Sequence, residues 1–362
     1  MSAEPRISIA MATYNGARYI REQLDSLAAQ TLLPCELVVT DDGSTDATLE
    51  IVRDFARDAP FPVRIYCNKL RLGFGDNFLY AASLCEGVFI AFCDQDDVWM
   101  KDKLAVCAEK FIDQMVLLVM HSAHVVKANL EATEEFYPNI TKSRIYLPLS
   151  GSTWQNTPGF SMVFRASLLG LTAFQKRPNN IYADPNKQLM MAHDQWVYFL
   201  AQSIGKIIWV PESLALYRTH SANTCGPSKS TSWRDKVSLS VSTQAAHYVY
   251  LSTIAGQYAD VMASLETRQE IPYDITARAR SARDHWHTVK CNLLRRAAIY
   301  GNLPLNVRLR NFNHLLANGA YCRRKYGGFG LRGFAKDITI GIFGQRRSRE
   351  SGTEAESMGD SS

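Results

Sequence analysis

The sequence predicts an α/β fold with a mostly parallel sheet flanked by helices, followed by an α-helical C-terminal extension. Short apolar segments at 7–11, 36–40, 63–67 and 88–93 indicate buried strands. Amphipathic segments with helical spacing separate them, and the short connections favour parallel strands joined by right-handed crossovers. Beyond residue 225 the apolar residues recur only at intervals of three and four, which indicates helices alone.

The later elements follow from the same patterns. We expect a helix over 100–114, a strand over 116–120 and an irregular stretch over 121–158. A strand over 162–164, a helix opening at His193 and a pair of strands at 207–210 and 214–217 complete a first domain at 1–225. A helical, basic region over 226–345 follows, and 346–362 has the Ser, Glu and Gly content of a disordered tail.

Composition narrows the class of protein. The chain has 362 residues and eight cysteines without a Cys-x-x-Cys pair, several of them inside apolar segments. This pattern indicates reduced cysteines of a cytoplasmic protein rather than a disulfide or zinc framework. No apolar stretch reaches the length of a membrane span, and the N-terminal residues do not resemble a signal peptide.

The segment FCDQDDVW places three carboxylates, Asp94, Asp96 and Asp97, directly after an apolar strand. Like charges this close raise each other's pKa unless a positive group lies among them. A divalent cation with a preference for oxygen ligands, Mg²⁺ or Mn²⁺, is the simplest such group. Ligands of open α/β sheets bind at the carboxyl ends of strands. We therefore predict a metal site there that holds a substrate's phosphates, the alternative being a turn whose Asp caps the next helix.

Several motifs occur in order on the predicted elements. TYNG follows the first strand, DDGSTD the second, LGFGDNF precedes FCDQDDVW, and HDQW and YRTHSANTCG lie downstream. Together they resemble the family-two glycosyltransferases of the GT-A nucleotide-sugar-binding fold over about residues 5–225. FCDQDDVW and YRTH are most similar to the bacterial branch of rhamnosyltransferases.

The resemblance implies a nucleotide-sugar site. Tyr14 would stack on the base, and Asp42 would accept the imide N–H of uracil or thymine. A core tyrosine and an Asp-Gly turn are the structural alternatives. Arg71 would reach the diphosphate unless it is a surface residue. The residues implied to bind the nucleotide sugar are Thr13, Tyr14, Asn15, Asp42, Arg71, Asp94 and Arg218.

The resemblance also implies the metal ligands and the catalytic base. Asp94, Asp96 and His220 would hold Mn²⁺ or Mg²⁺, while Arg218 would neutralise the departing diphosphate or brace the histidine loop. Asp194 would be the general base of an inverting transfer, with helix capping as the alternative. His193 stands where many relatives carry Glu, so its role stays open. The turn at Gly159, Phe160 and Ser161 would form the acceptor face.

The C-terminal part predicts a location. Between 278 and 349 the chain carries 16 Lys and Arg against two acidic residues, interleaved with Tyr, Phe and Leu. Such a pattern suits nucleic acid, an anionic membrane or a solvated basic face, and the resemblance favours the inner face of the plasma membrane. We therefore expect a cytoplasmic, peripheral enzyme that transfers a sugar from a UDP- or dTDP-sugar, such as dTDP-rhamnose, to a lipid-linked or polysaccharide acceptor, with no nucleic-acid partner. Galactose or N-acetylglucosamine donors, or a scaffold without turnover, are the alternatives.

Overall fold

The computed structural model describes residues 5–152, 154–155, 157–182, 189–221, 245–322 and 328–344. The ten strands of its sheet are β1 Ile7–Thr13, β2 Glu36–Asp41, β3 Val63–Cys67, β4 Phe89–Cys93, β5 Val98–Trp99, β6 Val116–Lys127, β7 Ala132–Phe136, β8 Arg144–Tyr146, β9 Met162–Arg165 and β10 Lys206–Thr219. The helices are α1 Ile20–Ala28, α2 Thr48–Asp58, α3 Phe74–Ser83, α4 Lys103–Ala108, α5 Ser167–Gly170, α6 His193–Ile204, α7 Ala245–Glu266, α8 Tyr273–Tyr300, α9 Leu305–Ala317 and α10 Gly330–Lys336.

The sheet confirms the predicted α/β class. Its order is β3-β2-β1-β4-β9-β6-β10-β5, and β7 and β8 pair with β6 and β10. The pairs β3-β2, β2-β1, β1-β4 and β6-β10 are parallel, whereas β9 runs antiparallel to both β4 and β6. Because β1, β2 and β4 are parallel neighbours, the residues that follow them meet at one edge of the sheet.

Three sequence-based boundaries were wrong. The helix expected over 100–114 is only α4 followed by a 3-10 turn at Glu109–Phe111. The stretch expected to be irregular contains most of β6 together with β7 and β8. The two strands expected at 207–210 and 214–217 are one strand, β10, with irregular register between Val210 and Leu216. The irregularity lies around Pro211, which lacks the backbone N–H of a regular ladder.

The chain divides into two compact units. The first comprises 1–148, 155–177 and 190–227, and the second comprises 149–154, 178–189 and 228–362. The segments 149–154 and 178–189, which we assigned to the first domain, therefore belong to the second unit. The reason is local packing: the Trp154 ring lies 6.0 Å from that of Tyr258 and 6.2 Å from that of Trp286. The predicted tail at 346–362 lies outside the described residues.

The helical unit contains a buried polar cluster. Asp337 is fully buried and accepts hydrogen bonds from Arg296 Nε at 2.9 Å and from the hydroxyls of Tyr300 and Tyr321 at 2.7 Å each. These bonds offset the cost of burying the carboxylate. The helical character predicted for the C-terminal region is confirmed by α7, α8 and α9.

Among the described residues, no helix combines the length and the apolar character that crossing a bilayer requires.

Candidate active site

The motifs meet at the carboxyl edge of β1, β2 and β4. Thr13 pairs with Asp41 across the β1-β2 ladder, and Met11 pairs with Cys93 across the β1-β4 ladder. Tyr14, Asp42 and Asp94 therefore follow three neighbouring parallel strands at the same edge. The structure thus brings together the residues that the sequence placed at three strand ends.

Tyr14 is held beside the carboxylate turn. Its backbone N–H donates to Gln95 Oε1, and its carbonyl accepts from Gln95 Nε2, both at 3.1 Å. The Tyr14 ring is 38% exposed, so it is not the core tyrosine of the structural alternative. The guanidinium carbon of Arg71 lies 3.9 Å from the centre of this ring. An arginine stacked on an exposed tyrosine is a surface on which a planar base can stack.

Thr13 and Asn15 shape this edge through protein contacts. The buried Thr13 hydroxyl donates to Asp41 Oδ2 at 2.7 Å. Asn15 has a positive φ of 49°, and its Oδ1 accepts from the N–H of Thr45 at 2.8 Å. Both side chains therefore join the TYNG turn to the DDGSTD turn. These contacts with other protein groups do not by themselves support the predicted role of Thr13 and Asn15 in nucleotide-sugar binding.

The carboxylates of Asp94, Asp96 and Asp97, which form the carboxylate turn, repel one another. Burial, then repulsion from Asp96 and from Asp194, raises the pKa of Asp94 to about 7. Burial, then repulsion from Asp96 and from Asp94, also raises the pKa of Asp97 well above its usual range, and Oδ2 of Asp97 has no hydrogen-bond partner among the described residues. Asp97 does not cap the next helix. Its Oδ1 instead accepts the backbone N–H of Arg218 at 2.9 Å.

Asp96 and His220 come together as predicted. His220 Nε2 lies 2.8 Å from Asp96 Oδ2, and the imidazole stacks on the Tyr19 ring with centres 4.7 Å apart. A carboxylate and an imidazole beside further carboxylates suit Mn²⁺ or Mg²⁺ in chemistry, and a cation would relieve the repulsion that raises the pKa of Asp94. The donor set therefore fits a divalent cation. Within the described ranges, however, no three His, Cys, Asp or Glu side chains are already arranged as a metal shell.

Arg218 braces the strand end. Its side chain is 1% exposed, its Nε donates to the carbonyl of Asp96 at 2.7 Å, and its other nitrogens contact the Ala128 carbonyl and Glu22. The guanidinium also lies over the Tyr19 ring at 4.5 Å. Of the two predicted roles, these contacts support bracing of the histidine loop.

Lys103 is a site residue that sequence reasoning missed. It is fully buried, its Nζ donates to the Phe160 carbonyl at 2.8 Å, and it lies 3.4 Å from the centre of the Trp99 ring. Burial lowers its pKa to about 8, and its charge lowers the pKa of both Asp94 and Asp97. Its position just past the carboxylate turn was the available signal, but a lysine near a helix start is usually solvated.

The acceptor-face prediction needs a correction. Gly159, Phe160 and Ser161 form a 3-10 turn in which all three residues are buried. Because all three residues are buried, the turn does not present an open face. Gly159 is required for close approach: a Cβ there would lie 2.3 Å from His193 Nε2. The turn instead connects Lys103, through the Phe160 carbonyl, to the helix that carries Asp194.

Asp194 has the properties of a general base. It lies in the first turn of α6, whose N-cap is Ala192, and its Oδ1 accepts the backbone N–H of Gln195 at 2.7 Å, so it contacts the start of the helix without being the N-cap residue. Burial raises the pKa of Asp194 to about 7. Among the described residues no Lys, Arg or His forms an ion pair with it. Repulsion between Asp194 and Asp94 shows that the two carboxylates lie in one electrostatic environment.

His193 is a core side chain beside this base. Its ring stacks on Phe78 with centres 4.2 Å apart and meets Phe92 edge-on at 4.7 Å. Burial, and then the charge of Arg177, lowers its pKa to about 3. The imidazole is therefore neutral at physiological pH and far too weakly basic to replace Asp194 as a base that operates near neutrality.

Taken together, the strand ends form one carboxylate-rich edge of an α/β sheet. The family model "Glycosyl transferase family 2" matches residues 8–170. The chain is 30% identical to the dTDP-rhamnosyl transferase RfbG of Shigella flexneri over 228 residues. The aligned region covers 60% of this chain and 73% of that protein. The protein belongs to glycosyl transferase family 2.

Other known proteins also resemble this chain. An uncharacterized glycosyltransferase of Nostoc is 29% identical over 223 residues, and the chain spans 66% of its length; for an uncharacterized protein of Mycobacterium tuberculosis the span is 59%. Among solved structures, Staphylococcus aureus TarS 1-349 in complex with UDP is 19% identical with a TM-score of 0.47, covering 96% of this chain and 92% of that one. A likeness of this size carries no inference about ligands.

Proposed function

We propose that the protein is an inverting, metal-dependent glycosyltransferase that moves a sugar from a UDP- or dTDP-sugar to an acceptor hydroxyl. The observation that carries this proposal is Asp194, a buried carboxylate whose pKa burial raises to about 7 and whose charge contributes to the raised pKa of Asp94. A general base works best when its pKa lies near the operating pH. Membership of glycosyl transferase family 2 supplies the reaction class.

The chemistry is a single displacement. Asp194 accepts the proton of the acceptor hydroxyl while that oxygen forms a bond to the anomeric carbon. The bond from the anomeric carbon to the diphosphate oxygen breaks, and the nucleoside diphosphate leaves with the bonding electron pair. The product is a glycoside of inverted configuration, and no covalent enzyme intermediate is required.

Asp94, Asp96 and His220 would hold Mn²⁺ or Mg²⁺. When bound, such a cation stabilises the negative charge of the leaving diphosphate as a Lewis acid. The protein's own contribution is to keep these ligands together: Arg218 fixes the carbonyl of Asp96, and the N–H of Arg218 fixes Asp97. Lys103, whose pKa is about 8, supplies a positive charge near neutral pH that lowers the pKa of Asp94 and Asp97.

Similarity to the dTDP-rhamnosyl transferase RfbG favours dTDP-rhamnose as the donor, with galactose and N-acetylglucosamine sugars as alternatives within the class. The stacked pair of Tyr14 and Arg71 would hold the base. The acceptor would be a growing bacterial surface polysaccharide or a lipid-linked oligosaccharide, such as an O-antigen.

We further propose that the helical unit attaches the protein to the cytoplasmic face of the plasma membrane. Arg310 and Arg332 are exposed on α9 and α10, and Leu331 is 84% exposed beside Arg332. Exposed cations next to exposed apolar side chains suit an anionic bilayer, where each basic residue adds about 1 kcal/mol. Nucleic acid is not among the proposed partners.

A thermal-shift series tests the donor class. The full-length protein is heated with UDP, dTDP, GDP and CDP and with dTDP-rhamnose and UDP-sugars, each with and without Mn²⁺. A nucleotide at 100 times its Kd stabilises by about 2.7 kcal/mol. We expect cation-dependent stabilisation by UDP or dTDP and by one of their sugars. Stabilisation by GDP alone, or by no nucleotide, contradicts the proposal.

A further inference from the structure

The chain leaves the first unit after Arg177 and returns to it at Met190, directly before the helix that carries Asp194. Residues 178–189, between these two points, belong to the second unit. Because Asp194 follows so closely on the point of return, its position depends on how the returning segment is attached to the first unit. Arg177 makes that attachment.

The guanidinium of Arg177 joins three separate stretches of the first unit. Its Nε donates to the carbonyl of Met191 at 2.9 Å, its Nη1 donates to the carbonyl of Phe174 at 2.7 Å, and its Nη2 donates to Asp76 Oδ1 in the first turn of α3. The Arg177 side chain is only 3% exposed. Charged donors form stronger hydrogen bonds than neutral ones, so these contacts link the returning segment firmly to α3.

The helix α3 also contacts the two residues that follow Met191. A Cβ at Gly75 would lie 3.5 Å from the Cα of Ala192, so the backbone of α3 closely approaches the start of α6. The His193 ring stacks on Phe78 of α3 with centres 4.2 Å apart. The first turn of α6 therefore packs on α3, and the Arg177 contacts fix the residue just before this packed pair.

We propose that Arg177 is a positioning residue for the base: its guanidinium ties Met191 to Asp76 and so fixes the start of α6, which holds Asp194 in place for proton transfer. A general base must stay within hydrogen-bond reach of the hydroxyl that it deprotonates, so a small displacement of the carboxylate lowers the rate. This inference rests on the proposed function, because it takes Asp194 as the base.

Arg165 supplies a matched control. Like Arg177, it is an arginine that donates to backbone carbonyls, from Nε to Val116 and from Nη2 to Phe111, both at 2.8 Å. It pairs on β9 with Phe89, the first residue of β4, whereas the carboxylate turn follows the last residue of β4. Arg165→Met therefore removes a comparable set of bonds at the opposite end of that strand.

Kinetics and calorimetry of the full-length protein compare Arg177→Met with Arg165→Met. Turnover is measured as release of nucleoside diphosphate from dTDP-rhamnose and UDP-sugars with water as the acceptor. The water oxygen bonds to the anomeric carbon, its proton passes to Asp194, and the diphosphate leaves with the electron pair. We expect Arg177→Met to lower turnover per folded molecule by roughly 10–100-fold, the scale of a misplaced catalytic group, with the Kd values for UDP and dTDP unchanged. Arg165→Met should alter neither quantity.

Equal turnover losses in the two variants, full turnover in Arg177→Met, or weakened nucleotide binding in Arg177→Met overturns the inference. Should Arg177→Met fail to fold, Asp76→Asn weakens the same attachment while Arg177 stays in place. We expect a smaller loss of turnover in Asp76→Asn, again with unchanged nucleotide affinity, and full turnover there overturns the inference. If the wild-type protein releases no nucleoside diphosphate, or Asp194→Asn releases as much as wild type, the proposed function itself fails, a result visible without any Arg177 variant.

Hydrogen exchange followed by mass spectrometry gives a readout that needs no substrate. Arg177→Met should speed amide exchange in peptides that cover 190–198, because the start of α6 loses an attachment and opens more readily. Arg165→Met should leave exchange in these peptides unchanged. Unchanged exchange there in Arg177→Met would show that the start of α6 is fixed without Arg177 and would overturn the inference.

Discussion

His220 Nε2 lies 2.8 Å from Asp96 Oδ2, although 124 residues separate the two in the chain. The contact is made because β10 carries His220 to the strand-end turn, where the Arg218 backbone and side chain bond to Asp97 and to the Asp96 carbonyl. The contacts of Arg218 thus hold His220 beside Asp96. The pair is the best-defined part of the proposed cation site.

The first prediction concerns this pair. Asp96→Ala should abolish Mn²⁺-dependent UDP binding, since a diphosphate would then face the remaining carboxylates without a bridging charge. His220→Ala should weaken Mn²⁺ affinity less, because it removes one neutral ligand. Calorimetry of Mn²⁺ with and without UDP measures both. Unchanged cation dependence in Asp96→Ala would show that the cation is held elsewhere.

The second prediction concerns the base. Asp194→Asn should lower turnover by about 10²–10⁴-fold and leave UDP affinity unchanged, because the nucleotide contacts lie elsewhere. In the wild-type protein, kcat should fall as pH drops below about 7, since Asp194 must be ionised to accept a proton. Steady-state kinetics over pH 5–9 measure this. A variant that keeps its turnover per folded molecule would exclude Asp194 as the base.

The raised pKa also predicts how Asp194 affects stability. In the unfolded chain an aspartate has a pKa of about 3.9, so between about pH 4 and 7 the folded state binds more protons and becomes less stable as pH rises. Asp194→Asn removes this term. In urea titrations, the unfolding free energy of the variant minus that of wild type should be larger at pH 8 than at pH 4.5, by on the order of 1–3 kcal/mol. An equal difference at both pH values would contradict the shift.

The fourth prediction concerns the brace. Arg218→Met leaves the carbonyls of Asp96 and Ala128 without their donor, which should cost about 2–3 kcal/mol of unfolding free energy. Arg21→Met is the matched control, because the ion pair between Arg21 and Asp25 is exposed and contributes little to stability. Urea titrations of both variants should show a lower midpoint for Arg218→Met alone. Equal midpoints would mean that Arg218 does not brace the strand end.

The fifth prediction concerns the helical unit. Replacing Arg310 and Arg332 together by Glu should reduce binding to vesicles that contain phosphatidylglycerol, and the loss should be greatest at low salt. Arg53→Glu, an equally exposed change on α2, should have no effect. Cosedimentation measures both. Undiminished binding of the double variant would remove this surface from the proposed membrane contact.

The surroundings of Gly159 could not be predicted from sequence periodicity or from motifs. Its segment was recognisable in the sequence, but the packing of Gly159 against His193 and of Phe160 against Lys103 depends on helices from two distant stretches of chain. The same holds for His193, whose neutral state follows from Phe78, Phe92 and the charge of Arg177 around it. A side chain's surroundings are set by packing, so its pKa and its exposure cannot be predicted from neighbours in sequence.

By itself the sequence determined the α/β class, the strand ends that carry Tyr14, Asp42 and Asp94, and the family, because alternating apolar segments and short motifs are local signals. The tertiary structure decided the rest. It showed that Asp42 accepts the N–H groups of Leu72 and Gly73, that Arg218 is buried as a brace, and that the pKa of Asp194 is raised. These properties depend on distances and on desolvation across the fold, which exist only once the chain is packed.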